Sequence, residues 1–107
     1  MDERREAIEI DLSAVTTPGE LHTVLASALG FPDFYGRNWA AFWDAITGLV
    51  EMPRRLRLVG WAGFAAQLPD EARHLRGCLA DALTQFPEWS AAVEAVEPST
   101  APDDGGW

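Results

Sequence analysis

Apolar and polar residues alternate with the period of a strand at two places in this chain, and they recur with the period of a helix in between. AIEIDL at 7–12 interleaves apolar residues with acids, as a strand with one buried face would, and RLRLVGW at 55–61 alternates again. Between them, TPGELHTVLASALG offers Thr17 as N-cap, Pro18 at the first helical position and Glu20 three residues after the cap. Leu21, Val24, Leu25, Ala28 and Leu29 then repeat at helical spacing, and Gly30 stops the helix.

FPDFYGR follows as a loop, and Asn38 stands where an N-cap should, opening NWAAFWDAIT as a second helix that Gly48 would terminate. EMPRR is a turn, and Arg54, Arg55 and Arg57 around the second strand form the only local basic excess. GFAAQL predicts a short helical turn before Pro69. PDEARHLRGCLADALTQF predicts a longer helix, with Leu75, Cys78, Leu79, Ala82 and Leu83 inward. Pro87 breaks it, and WSAAVEAVEP reads as either a third strand or a short alanine-rich helix. From Glu97 the chain turns to Pro, Gly, Ser and Asp without an apolar period, which predicts one domain over 1–97 and a flexible acidic tail over 98–107 with Trp107 as its odd residue. Strands interrupted by helices predict a small α/β layer, three parallel strands packed with helices.

The composition fits a folded unit, since 107 residues suffice for one core and 48% hydrophobic with 23% charged is close to the globular average. A net charge of -9 argues against bare nucleic acid or an anionic membrane as partner and would steer a basic protein towards the chain. The single cysteine, Cys78, excludes an internal disulfide, and no Cys/His spacing suits zinc. With no signal-peptide pattern and no apolar run near membrane length, the expected location is the cytoplasm.

The predicted second helix carries two faces. Trp39, Phe42, Trp43 and Ile46 fall at i, i+3, i+4 and i+7, one apolar stripe that belongs in the core. Ala40, Asp44 and Thr47 fall on another stripe, so Asp44 should be exposed. A lone helical aspartate is ordinarily a solvated surface residue. Asp44, however, sits in the second half of the helix, where the macrodipole disfavours an anion. Beside it, Asp33, Phe34, Tyr35 and Gly36 make a loop of the kind that forms protein-binding hot spots, although at least one of the two aromatics should close the core instead. Catalytic signals are weak. His22 and His74 lie in amphipathic helices, expected at the surface or half-buried, with no HExxH, GxSxG or phosphate-loop context. No cofactor or metal is implied.

LHTVLASALGFPDFYGRNWAAFWDAITG, residues 21–48, resembles the barstar family. Leu21, His22, Leu25, Leu29 and Pro32, then Tyr35, Gly36, Asn38, Ala41, Trp43, Asp44, Thr47 and Gly48 carry the likeness. The resemblance implies a three-stranded parallel sheet with helices and an inhibitor, not an enzyme. Such an inhibitor occludes the active site of a basic barnase-type ribonuclease with the second helix and the loop before it. It also implies an immunity or antitoxin role and a monomer that forms a heterodimer with the nuclease. The implied partner-binding residues are Phe34, Tyr35, Gly36, Arg37, Asn38, Ala40, Asp44, Thr47 and Gly48, with Asp81 or its neighbour Ala80 contributed by the last helix. Asp44 would then stand in for an RNA phosphate, since the groups that hold phosphate also bind a carboxylate. Steered association and strong hot spots are known properties of barnase and barstar themselves, so the resemblance carries that expectation without a magnitude. Where the best-known family member carries an acid this chain has Ala40, its first loop tyrosine corresponds to Phe34 without the hydroxyl, and Arg37 also replaces an acid. These departures leave open a partner that is not a nuclease.

Overall fold

The computed structural model describes residues 5–96, so the predicted tail at 98–107, Trp107 included, lies outside the described residues. The order is β1 (Ala7–Asp11), α1 (Pro18–Leu29), α2 (Trp39–Asp44), β2 (Arg55–Val59), α3 (Trp61–Gln67), α4 (Pro69–Gln85) and β3 (Ala92–Val96). The strands form one parallel sheet in the order β1-β2-β3. The expected α/β architecture is present, and 92–96, open between strand and helix in the sequence, is a strand.

Register puts the period-2 pattern to use. Ile8, Leu56 and Val93 align across the sheet, as do Ile10, Leu58 and Ala95, making the face turned to the helices. Ile10, Leu56 and Leu58 are buried there beneath Leu21, Leu25, Phe42, Phe64, Leu75 and Leu79. On the other face Glu9, Arg57 and Glu94 align. Arg57 lies 3.9 Å from Glu9 and 3.6 Å from Glu94, so the expected basic excess is broken by acids on either side. Such exposed pairs add little stability, about 0–1 kcal/mol each.

The predicted capping box at α1 is complete. Thr17 Oγ1 accepts from the Glu20 N–H at 3.1 Å, and Glu20 Oε1 accepts from the Thr17 N–H at 3.2 Å and from both the N–H and the hydroxyl of Thr16 at 2.8 Å. Those bonds lower the Glu20 pKa from its ordinary value. Gly30 ends the helix at φ 75° with its N–H on the Ala26 carbonyl, a conformation glycine adopts without a Cβ clash.

Three expectations are corrected. The second strand stops at Val59, because Gly60 turns at φ 77° and Trp61 already opens α3; a Cβ at Gly60 would come within 2.9 Å of Ser13 Cβ. Gly48 does not terminate the second helix, which continues as a π-helical turn over Ala45–Leu49, with the Val50 N–H donating to the Ala45 carbonyl at 3.1 Å. Leu83, expected inward on α4, is 38% exposed, and Cys78 is only partly buried. Removing the hydroxyl cap in Thr17→Ala should lower unfolding stability by about 1 kcal/mol, read as a lower denaturant midpoint at unchanged slope.

Candidate functional site

Six residues of α2 and one π turn are too few to hold a helix by propensity alone. Packing holds it. Phe42 and Ile46 are buried, while Trp39 and Trp43 are half-buried against the core. The Asn38 cap forms as expected, its Oδ1 accepting from the Ala41 N–H at 2.7 Å and its Nδ2 donating to the Gly36 carbonyl at 3.3 Å. A Cβ on Gly36 would meet that amide nitrogen at 3.3 Å and Ala41 Cβ at 3.4 Å, a tight approach that a larger residue could make only by shifting the Asn38 side chain. Arg37 takes a left-handed φ of 56°. A residue with a Cβ pays about 1–2 kcal/mol for that conformation, and the surrounding contacts sustain it.

The loop divides its aromatics. Phe34 is 76% exposed, whereas Tyr35 packs on Phe31 with ring centroids 4.7 Å apart and places its hydroxyl 2.6 Å from His22 Nδ1. Tyr35 is thus the aromatic that closes the core. His22, expected at the surface or half-buried, is buried at 3% exposure. Its position was legible as spacing, since His22, Leu25 and Leu29 fall at i, i+3 and i+7, but a polar side chain on that stripe needed the Tyr35 hydroxyl across the loop before it could be buried. Burial lowers the His22 pKa from its ordinary 6.5; the Glu71 carboxylate works against this and the Arg37 guanidinium adds to it. Burial, with Cys78 nearby, pushes the Tyr35 hydroxyl up to about 12.

Trp39 completes the anchorage. Its ring lies 4.7 Å from His22 and stacks on His74 of α4 at 5.7 Å and 11°, and its Nε1–H donates to Glu71 Oε1 at 3.0 Å. Neither His74 nor Glu71 was singled out by sequence reasoning as a support, because both pairings span more than thirty residues of chain. At the far end of α2, Trp43 approaches Phe86 beyond α4, centroids 6.5 Å apart.

The outer side presents the predicted residues unevenly. Ala40, Asp44, Gly36, Arg37, Asn38 and Gly48 are exposed, and Thr47 is half-buried with its hydroxyl donating to the Trp43 carbonyl at 2.7 Å. The Asp44 carboxylate caps neither helical turn and makes no hydrogen bond or ion pair among the described residues. On α4, Asp81 lies seven positions beyond His74, within about 20° of it on the helix wheel. It is also close enough to Cys78 to add to the rise in that thiol's pKa that burial begins. Ala80 faces away, lining a groove with Val93 and Ala95 of β3. On the helix wheel Asp81 falls near the His74 side of α4, which meets Trp39, and Ala80 on the groove side.

Residues 5–97 match the family profile described as Barstar (barnase inhibitor). The chain belongs to the barstar family. A relative in Bacillus subtilis (strain 168), named "Putative ribonuclease inhibitor YrdF", is 53% identical over 38 residues, 36% of this chain and 42% of that protein. The aligned stretch thus spans less than half of that protein's length. Membership places the chain among barnase-inhibitor-like proteins and not among enzymes, in agreement with the reading of 21–48. Among the described residues no helix is long and apolar enough to cross a membrane.

The buried imidazole has a consequence for pH. His22 binds its proton more readily in the unfolded chain, so stability is fully present above about pH 6.5 and is lost as pH falls through the folded pKa. The carboxylates of Glu20 and Asp11, both lowered by hydrogen bonds, act in the same direction but only below their ordinary 4.5 and 3.8. Denaturant titrations between pH 7 and 5 should therefore show stability declining with pH, and His22→Gln should flatten that decline. An equal decline in the variant would assign it to another group.

Proposed function

We propose that this chain inhibits a basic ribonuclease by covering its active site with the loop from Phe34 to Asn38 and the outer side of α2. The Asp44 carboxylate occupies the place of an RNA phosphate. The observation that carries the reading is an exposed carboxylate, without a hydrogen bond or ion pair among the described residues, on an edge held from behind by two elements, α1 through His22–Tyr35 and α4 through Trp39–Glu71. Arginine, lysine and histidine that bind phosphate accept such a carboxylate through charge-assisted hydrogen bonds. A support that does not rearrange on binding keeps the ordering cost low.

The other groups have subordinate roles. Phe34 supplies apolar contact area, Gly36 allows the close turn into the Asn38 cap, Ala40 and Gly48 leave room for the nuclease surface, and Asp81 adds a second negative charge from α4. Tyr35 contributes its ring edge, since its hydroxyl is committed to His22. Thr47 has likewise committed its hydroxyl inward. The net charge of -9 steers a basic partner to the chain, which works as a monomer that forms a heterodimer inside the producing cell, as immunity proteins do. The exposed Phe34 beside Ala40 also supports a second reading, a partner of this edge that is not a nuclease.

Titration of a barnase-type ribonuclease with wild type and Asp44→Ala tests the first reading. The substitution should weaken inhibition by about 30-fold or more, the loss of roughly 2 kcal/mol that marks a hot spot, with thermal stability unchanged. Asp81→Ala should weaken it less, mainly through a slower association that salt abolishes. Equal inhibition by Asp44→Ala and wild type would remove Asp44 as the anchor. Asp44-dependent capture of a protein without nuclease activity would favour the second reading.

A further inference from the structure

Arg37 is a residue of the candidate edge to which the reading above gives no task. Among the described residues it alone, apart from glycines, takes a left-handed φ, 56°. Glycine adopts that conformation without strain, and asparagine is commoner there than a long side chain. Backbone strain of this kind gathers at sites where a particular side chain has to be presented. Gly36 on one side approaches the Asn38 amide, and Asn38 on the other caps α2, so its neighbours fix the direction in which the side chain leaves the backbone.

The Arg37 side chain is exposed and makes no hydrogen bond or ion pair among the described residues. Arg57 and Arg73, by contrast, meet the carboxylates of Glu9, Glu94 and Asp70. Acids outnumber Lys and Arg by seventeen to eight in this chain, so an arginine standing clear of them keeps its guanidinium donors for another molecule. Its charge still reaches the support of the loop, since it helps to hold the His22 pKa below the ordinary value.

A cation has the wrong sign for the surface that Asp44 would meet. Groups that hold RNA phosphate are themselves cations, and Arg37 brought up to them lowers affinity unless a carboxylate receives it. The planar guanidinium fits a carboxylate through two parallel hydrogen bonds. From Asn38 to Asp44 the helix rises about 9 Å, so the rim of one active site can meet both charges.

We infer that Arg37 selects the partner by forming a bidentate ion pair with an Asp or Glu carboxylate on the rim of the ribonuclease active site, beside the cations that hold Asp44. This rests on the ribonuclease reading and adds a requirement to it. A nuclease whose rim is wholly basic is repelled by Arg37, and one with a carboxylate at that place is preferred. One side chain thus supplies both the attractive and the repulsive element of specificity.

A double-mutant cycle with a barnase-type ribonuclease tests this. Affinity is the readout, because a rim carboxylate can also serve the nuclease's own reaction. Arg37→Ala should weaken binding about 10-fold, as the loss of a charged hydrogen-bonded contact does, and Arg37→Glu about 100-fold through like-charge repulsion. Replacing one rim carboxylate of the nuclease by its amide should weaken the wild-type chain as much as Arg37→Ala does, and Arg37→Ala itself no further. Arg37→Gly should lose the same affinity yet unfold at a higher denaturant concentration than Arg37→Ala, since glycine bears the left-handed φ without strain. Wild-type affinity in Arg37→Gly would assign the residue a structural role and overturn the inference. So would an Arg37→Glu chain that binds as tightly as wild type, or the absence of coupling to every rim carboxylate. Asp44→Ala measured alongside keeps the two claims apart. If it loses affinity while the Arg37 variants lose none, the ribonuclease reading stands and Arg37 is not the selector; if Arg37 couples to a carboxylate while Asp44→Ala loses nothing, the Arg37 pair stands without Asp44 as anchor.

Discussion

The bond between His22 and Tyr35 is the constraint on which the candidate edge depends. It joins α1 to the loop before α2 inside an aromatic cluster, and Trp39 extends the connection to α4 through Glu71 and His74. A hydrogen bond to a carboxylate contributes about 1.5–3 kcal/mol net, and an unpaired buried imidazole would cost a comparable amount. These pairings are therefore large against the strain of Arg37 in its left-handed conformation. They fix the loop and allow a six-residue helix to exist where isolated peptide would not.

The same arrangement separates holding from presenting. Phe42 and Ile46 point into the core and anchor α2 from below, whereas the Asp44 carboxylate, one residue beyond Trp43, makes no hydrogen bond or ion pair among the described residues. A π turn after Asp44 shifts the register of the following residues, so Ala45 and Ile46 are buried in succession while Gly48 and Leu49 emerge. Because hydroxyls of Tyr35 and Thr47 are spent inward, the polar character of the outer face rests on Asp44, Asn38 and Arg37. An edge so furnished suits a site built to hold one anion, flanked by apolar contact from Phe34.

Much of this was legible in the sequence because it is local. The capping box at Thr17 and Glu20, the Asn38 cap, the Gly30 stop and the alternation within 7–12 and 55–61 are written within a few residues of where they act. The two faces of α2 followed from the same kind of spacing. What was not legible depends on contacts between distant segments. His22 could be buried only because Tyr35, thirteen residues later, satisfies its nitrogen, and Trp39 finds its partner thirty-two residues on. The ending of 92–96 as a strand depended on its pairing with β2. Leu83 was misplaced because helical spacing says which residues share a face and not whether the sheet opposite is wide enough to cover it.

The central claim is that the Asp44 carboxylate takes the place of a phosphate in the active site of a ribonuclease. Affinity for a barnase-type ribonuclease measured against rising inorganic phosphate, at constant ionic strength, tests it most directly. Phosphate filling the nuclease's own anion site should weaken binding of this chain in proportion to its occupancy. An affinity indifferent to phosphate at concentrations that saturate that site would contradict the account.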